Sequence, residues 1–406
     1  KAAVEYIDLE LTLPTDIQNS VFNERSQCTK IISSHHDFPG EFPWTHSEWE
    51  ERYNQALSIN ADVVKFVGTA TKFEDNLLLE EFRAKHTSKP LIAINMTARG
   101  KISRVLNTIL TPVTSELLPA ASAPGQLTVK QINHLYTELG GDLTPKHFYV
   151  VGKPIGHSRS PILHNTGYEV LGLPYKFDKF ETDSASEVKS KLLSDPSLGG
   201  LAVTIPLKLD IIPYMDELSE AAKFINAVNT VIPLGNNKFK GDNTDWLGIF
   251  NSLTANGVPS KLPPKTAGLI VGAGGTSRAA IFALHKLGCH KIFMVNRTTS
   301  KLHDLKKAFP ERYNIEVVET IEDAKKVEEN FSVVVSCVPA DKPLDETLIA
   351  QLEVLLQKND FKELGFTSTL LEAAYKPRYT PVMRLAKEKY NWNVVPGVEM
   401  LVCQGV

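Results

Sequence analysis

AGLIVGAGGTSRAAIFALHKLGCHKIFMVNRTTSK, residues 267–301, sets the fold class. It reads as an apolar strand, a glycine loop, an amphipathic helix and a second apolar strand, the unit from which parallel sheets with crossover helices are built. Backbone N–H groups of Gly272, Gly274, Gly275, Thr276 and Ser277 open the helix and can face a pyrophosphate, helped by the helix dipole. Ser277 stands where a GxGxxG loop would place its third glycine. After the second strand come Asn296, Arg297 and Thr298, with Lys301 close behind. With no carboxylate there to repel a 2′-phosphate and Arg297 able to bind one, NADP is favoured over NAD. The alternative is a solvated turn after a strand.

Upstream of KLPPKT, residues 148–262 form another βα series, in which polar groups follow apolar strands: Ser158 and Ser160 in GKPIGHSRSP, Thr204 and Lys208 in VTIPLK, Asn229 in AVNT, Asp245 in GDNTD. Taken singly, the serines suit helix caps and Lys208 suits a surface charge. Brought together, a lysine and an aspartate can pass a proton to a carbonyl oxygen without a metal.

Residues 4–118 hold a third series. VEYIDLEL, KIISSHHDF, ADVVKFVGTA, KPLIAINMT and a weaker TPVTSELL are strand-like, with helical spacing in SEWEERYNQALSI and FEDNLLLEEFRAKH. Five strands are therefore expected before the Gly-Gly punctuation at ELGGDLTPKH. Lys65 sits inside one strand and either snorkels to water or, desolvated, becomes a neutral amine able to attack a ketone. His36 on the neighbouring strand can then move a proton. Arg104 and Gln126, at later strand ends, suit a substrate carboxylate and hydroxyls.

At 406 residues, with 42% apolar and 22% charged side chains and a net charge of −3, the chain reads as an ordinary multidomain protein with no nucleic-acid footprint. Four dispersed cysteines without CxxC spacing fit reduced thiols in the cytoplasm and no structural metal. No apolar run reaches the length of a membrane span.

HHDF, DVVKF, GKISR and SAPGQ, in this order, resemble the type I 3-dehydroquinate dehydratases, a Schiff-base (β/α)8 barrel family. The resemblance implies Lys65 as the imine lysine, His36 as general acid/base, and Arg104, Ser122 and Gln126 as substrate ligands. GKPIGHSRSP, VTIPLK, AVNT, GDNTD, GAGGTS and NRT resemble shikimate dehydrogenases from residue 148 onward. That resemblance implies Lys208 and Asp245 as the catalytic pair, and Ser158, Ser160, Thr204, Asn229, Tyr375 and Gln404 as substrate ligands. It gives NADP to the glycine loop with Asn296, Arg297, Thr298 and Lys301. The fusion, and the wording of SSHHDFPGEFPW and SCVPADKPLD, resemble the C-terminal part of fungal-type pentafunctional AROM polypeptides.

The expected architecture is α/β: a partial (β/α)8 barrel over 1–143, a substrate-binding domain over 147–262, a Rossmann NADP domain over 263–385, and a segment over 386–406 returning to the substrate domain. Lys1 is expected to lie inside the barrel, with three strands upstream that carry the groups orienting the histidine. Lys65 is then expected to be solvent-exposed and to form no adduct in residues 1–406 alone. The chain is likewise expected to stop short of a terminal helix, leaving Gln404 poorly placed. The resemblance allows a homodimer through the parent polypeptide. The activities implied are dehydration of 3-dehydroquinate and NADPH-dependent reduction of 3-dehydroshikimate. The rivals are a quinate or NAD-linked dehydrogenase with an inactive barrel remnant and a non-enzymatic metabolite sensor.

Overall fold

The computed structural model describes residues 4–26, 28–340, 343–359 and 366–405. Lys1, Val406 and the Asp341-Lys342 pair of SCVPADKPLD lie outside them. The chain divides into two compact units, Lys1–Pro145 with Asn165–Tyr175, and Lys146–His164 with Lys176–Val406.

In the first unit, β1 (Tyr6–Glu10), β2 (Lys30–His36), β3 (Val63–Thr69) and β4 (Leu91–Met96) form a parallel sheet in chain order. Adjacent sequential strands with helices between them are the geometry of a β/α-barrel segment. Alternation separates the two faces. Leu11, Val64, Phe66, Leu91 and Ala93 pack under Trp44, Trp49, Tyr53 and Phe82, from the helices Ser47–Ser58 and Asp75–Lys85 and the loop before the first of them. The register sets Glu10 beside Ser34, and Ser34 beside Lys65. Asp8, Glu10, Ser34, His36 and Lys65 therefore share the opposite face, bordered by small apolar clusters around Ile32 and Val67.

Three expectations for this unit need correction. The fifth strand is not formed: residues 111–118 carry no ladder, Pro112 has no N–H to give, and Thr114 N–H goes to Leu127 O at 3.0 Å. Arg104 lies on the short helix Lys101–Leu106 after β4 rather than on a strand end. The boundary near 143 is not a single cut, because residues 165–175 belong with the first unit. Asn133 Nδ2 donates to Leu171 O at 2.7 Å, and Gly172 is pressed on Lys130.

The second unit holds two sheets. The first is mixed: β5 (Lys146–Gly152), β6 (Tyr175–Glu181), β7 (Leu198–Val203), β8 (Glu217–Leu218), β9 (Thr230–Gly235) and β10 (Lys238–Asp242) lie in the order β6-β5-β7-β9-β10-β8. The other is parallel: β11 (Ala267–Val271), β12 (Lys291–Val295), β13 (Ile315–Val318), β14 (Phe331–Ser336), β15 (Thr369–Glu372) and β16 (Asn393–Val395) run β13-β12-β11-β14-β15-β16. This is a doubly wound sheet whose order reverses between β11 and β14, where such folds open a ligand crevice.

Packing crosses two of the expected domain edges. Ile249, Leu253, Val258 and Leu262 share one buried cluster with Ile270, Ala280 and Leu284, so apolar contacts run across residue 262. The segment 386–406 is itself divided: β16 completes the parallel sheet, and only the helix Gly397–Gly405 turns to the helix Asp245–Ala255. A Cβ on Gly248 would stand 2.8 Å from the Gln404 Cβ and 2.9 Å from Met400 O; glycine lets the two helices close on each other.

Candidate active site

Lys208 follows β7, and its carbonyl accepts the Val228 N–H at 2.8 Å. Asp245 begins the helix Asp245–Ala255, where a carboxylate is favoured by the helix dipole. These elements bring Lys208 Nζ to 2.5 Å from Asp245 Oδ2, with the two side chains 15% and 10% exposed. Asn229 Nδ2 donates to the other oxygen of Asp245 at 2.9 Å and also reaches Gln404 Oε1 at 3.3 Å. Asn243 Oδ1 receives the Asp245 N–H at 3.1 Å. The pair is thus enclosed and fixed from several elements.

Lys208 and Asp245 line a cavity of ≈ 320 Å³, together with Ser158, Ser160, Thr204, Asn229, Tyr375 and Gln404. All of the residues expected at the reductase site, apart from the cofactor residues, therefore meet in one place. The doubt over Gln404 is removed: the helix Gly397–Gly405 presents it to Asn229 and Thr244. Ser160 N–H also donates to Ser158 Oγ at 3.4 Å, a bond within the turn that leads into the helix Ser160–Leu171. Burial, partly offset by Arg159, raises Tyr375 above the usual phenol range, keeping its O–H as a donor.

Thr276 brings the glycine loop into the same wall, and a Cβ on Gly275 would lie 3.7 Å from Lys208 Cδ. Gly272 has φ +116, and a Cβ there would stand 3.2 Å from the Cys337 carbonyl, whereas Gly274 has open space around it. Ser277 Oγ accepts the Gly274 N–H at 3.1 Å. The loop is therefore shaped by the crevice between β11 and β14 and open where a phosphate would approach, which fits a dinucleotide. Asn296 Nδ2 donates to Thr298 O at 3.0 Å, while Arg297, Thr298 and Lys301 are exposed after β12.

The first unit carries its own constellation. Lys65 Nζ lies 2.5 Å from Asp8 Oδ2, with the lysine side chain 16% exposed and Asp8 44%. The expectation of an exposed lysine is overturned, because β1 covers it with a carboxylate. Ser34 Oγ also donates to Asp8. A carboxylate for the histidine, expected only upstream, is present in β1: Glu10 Oε2 is 2.6 Å from His36 Nδ1. Burial tends to raise Glu10, but the imidazoles of His35, 3.5 Å away, and His36 outweigh it and hold the carboxyl at about 2. Arg104 is fully buried, with Nη1 donating to Pro112 O at 3.4 Å. Ser122 N–H and Oγ both donate to Gln126 Oε1, at 2.9 and 3.0 Å. Gly125, at φ +81, lets this loop lie against Thr97 beyond β4.

Asp8 and Glu10 were missed in the sequence. Their signal was available as two acids, two residues apart, in an otherwise apolar strand, which period-two alternation places on one face.

The type I 3-dehydroquinase family matches residues 1–142, the shikimate dehydrogenase substrate binding domain 150–231, and the shikimate / quinate 5-dehydrogenase family 260–364. A pentafunctional AROM polypeptide of Candida glabrata is 68% identical over 100% of this chain, which covers 26% of that relative. The chain thus spans about a quarter of the length of the AROM polypeptides it matches. The solved dehydroquinate dehydratase and shikimate dehydrogenase from S. pombe AroM is 42% identical, with a TM-score of 0.82, over 99% of this chain and 75% of that one. A Thermus thermophilus shikimate 5-dehydrogenase, solved with NADP(H) and shikimate, is 28% identical with a TM-score of 0.51, over 64% and 90%. Among the described residues no helix is long and apolar enough to cross a membrane.

Proposed function

We propose that this chain, which belongs to the AROM family and joins a type I 3-dehydroquinase domain to a shikimate dehydrogenase, performs two consecutive shikimate-pathway steps. It dehydrates 3-dehydroquinate and reduces the product, 3-dehydroshikimate, to shikimate. The observation that carries the reading is the enclosed Lys208–Asp245 pair at 2.5 Å in a cavity walled by the other expected substrate ligands.

In the reductase, Gly272, Gly274, Gly275, Thr276 and Ser277 would hold the pyrophosphate of NADP. Asn296, Arg297, Thr298 and Lys301 would hold its 2′-phosphate end. When bound as NADPH, the cofactor supplies the hydride. Lys208 gives a proton to the carbonyl oxygen as the alcohol forms, and Asp245 holds the ammonium in place for that transfer. Asn229 and Asn243 fix Asp245, so the pair keeps its alignment with the substrate. Ser158, Ser160, Thr204, Tyr375 and Gln404 receive the substrate carboxylate and hydroxyls, Tyr375 as a donor.

In the dehydratase, the Lys65 amine attacks the C3 ketone, and the carbinolamine loses water to become an iminium. The iminium acidifies the C2 hydrogen, which His36 removes; the proton passes back to the C1 hydroxyl, which leaves as water. Water then adds to the product iminium, and breakdown of that carbinolamine releases 3-dehydroshikimate and regenerates the Lys65 amine. Asp8 holds Lys65 in place, and Glu10 orients His36. Buried Arg104 suits the substrate carboxylate, with Ser122 and Gln126 at its hydroxyls.

NADPH absorbance, followed with 3-dehydroshikimate, tests the reductase. Turnover with NADPH, and much less with quinate and NAD, is expected; the reverse preference would establish the quinate reading. The sensor reading requires binding with no turnover.

A further inference from the structure

Glu372 ends β15 with its side chain fully buried, and neither step above uses it. One carboxyl oxygen accepts the Ala374 N–H at 3.0 Å, and the other accepts the Thr380 hydroxyl at 2.7 Å. Thr380 Oγ in turn accepts the Met383 N–H at 3.3 Å, starting the helix Pro381–Arg384. The carboxyl therefore grips both ends of the loop 373–380, and that loop puts Tyr375 into the cavity wall. The same backbone supports the helix that carries Gln404. A Cβ on Gly397 would stand 2.6 Å from Ala374 O and 2.7 Å from Glu372 O, so the helix start rests directly on the clamped loop.

We propose that Glu372 is a positioning residue of the reductase, which sets Tyr375 by clamping both ends of its loop and so governs substrate affinity. This rests on reading the cavity as the 3-dehydroshikimate site. A buried carboxyl is costly compared with an apolar side chain of similar volume. Burial pushes this one up to about 7, even though Ala374 and Thr380 donate to it. Ser336 lies opposite it in the ladder, and the nearby Cys337 thiol is pushed up to about 12 by burial. The two bonds need one acceptor for Ala374 N–H and one polar partner for the Thr380 hydroxyl. A glutamine amide supplies both; alanine supplies neither.

The test is calorimetric titration with shikimate, paired with steady-state kinetics on the NADPH reaction. Glu372→Ala is expected to weaken shikimate binding and raise KM for 3-dehydroshikimate by about tenfold or more. Its kcat should stay within about threefold, and NADPH affinity should be unchanged. Glu372→Gln should bind shikimate within about threefold of the parent. In a Tyr375→Phe background, Glu372→Ala should add less than about twofold, because the effect passes through the tyrosine. If Glu372→Ala does not fold, Glu372→Asp carries the same comparisons, its shorter side chain being unable to span both donors. Additive losses in the Tyr375→Phe background, or an unchanged KM in the Ala or Asp variant, would overturn the positioning role. A parent protein that neither binds shikimate nor reduces 3-dehydroshikimate would instead overturn the reading of the site, and this inference with it.

Discussion

Lys65 and Lys208 each place an ammonium 2.5 Å from an aspartate in a parallel-sheet setting, and their own exposures are nearly equal. The partners differ. Asp8 is 44% exposed and is held by Ser34, whereas Asp245 is 10% exposed and is held by Asn229 and Asn243. An ammonium beside a carboxylate is favoured in its charged form at both sites, so the nearby acid does not by itself assign either lysine a role. What differs is enclosure: the Lys65 pair opens to water through Asp8, and the Lys208 pair is walled in, with Asn229 on the second oxygen of its acid.

Two glutamates at strand ends, Glu10 partly buried and Glu372 fully buried, also differ through their partners. Glu10 faces two imidazoles and is held at about 2. Glu372 faces neutral donors and is pushed up to about 7. Burial raises both; at Glu10 the two imidazoles outweigh it, whereas at Glu372 the donors present do not.

The largest test of the contrast is at Lys65. Exposure was the ground for expecting no adduct in residues 1–406, and Lys65 is only 16% exposed; borohydride added with 3-dehydroquinate is therefore expected instead to leave a reduced, substrate-derived adduct on Lys65 and none in Lys65→Ala, because an imine is reducible and a salt bridge is not. An adduct on another lysine, read by peptide mass spectrometry, would end the assignment. Next, Lys208→Ala and Asp245→Asn should each lower reductase turnover by at least ~10²-fold with NADPH affinity little changed. Near-normal turnover in either would remove the pair from the chemistry.

Stability against pH sharpens the glutamate comparison. Glu372 is raised, so its contribution is fully present below the ordinary glutamate range and is lost as pH rises through about 7. The whole shift corresponds to about 3 kcal/mol at most. Glu372→Gln should therefore gain in melting temperature relative to the parent as pH goes from about 5 to about 8; a constant difference would mean the carboxyl is not raised. Glu10 is depressed, so its contribution is present above the ordinary range and is lost as pH falls toward about 2. The smallest effect is at exposed Arg297. Arg297→Ala should weaken NADPH roughly tenfold, through loss of a charge-assisted contact, and leave NADH nearly unchanged. Equal losses in a titration would exclude the 2′-phosphate role.

What the sequence determined by itself was the local chemistry with a short-range pattern. The βα alternation, the glycine loop opening the helix Gly275–Leu287 and the polar residues following apolar strands were all legible, because each depends on neighbours a few residues apart. The sequence also marked Lys65, His36, Lys208 and Asp245 as reactive types in strand contexts. Only the tertiary structure decided which acid meets which base. Asp8 reaches Lys65, and Glu10 reaches His36, through the register of β1 on β2 and β3. Gln404 joins Asn229 across 175 residues of chain. The fifth strand read into residues 111–118 had the right residue types, but its backbone found partners elsewhere. Glu372 drew no reading from the sequence, because the groups around its carboxyl, Ala374 and Thr380, are brought to it only by the fold of the loop 373–380. Propensity and spacing act along the chain, whereas burial and ionisation depend on what folding brings within a few ångströms.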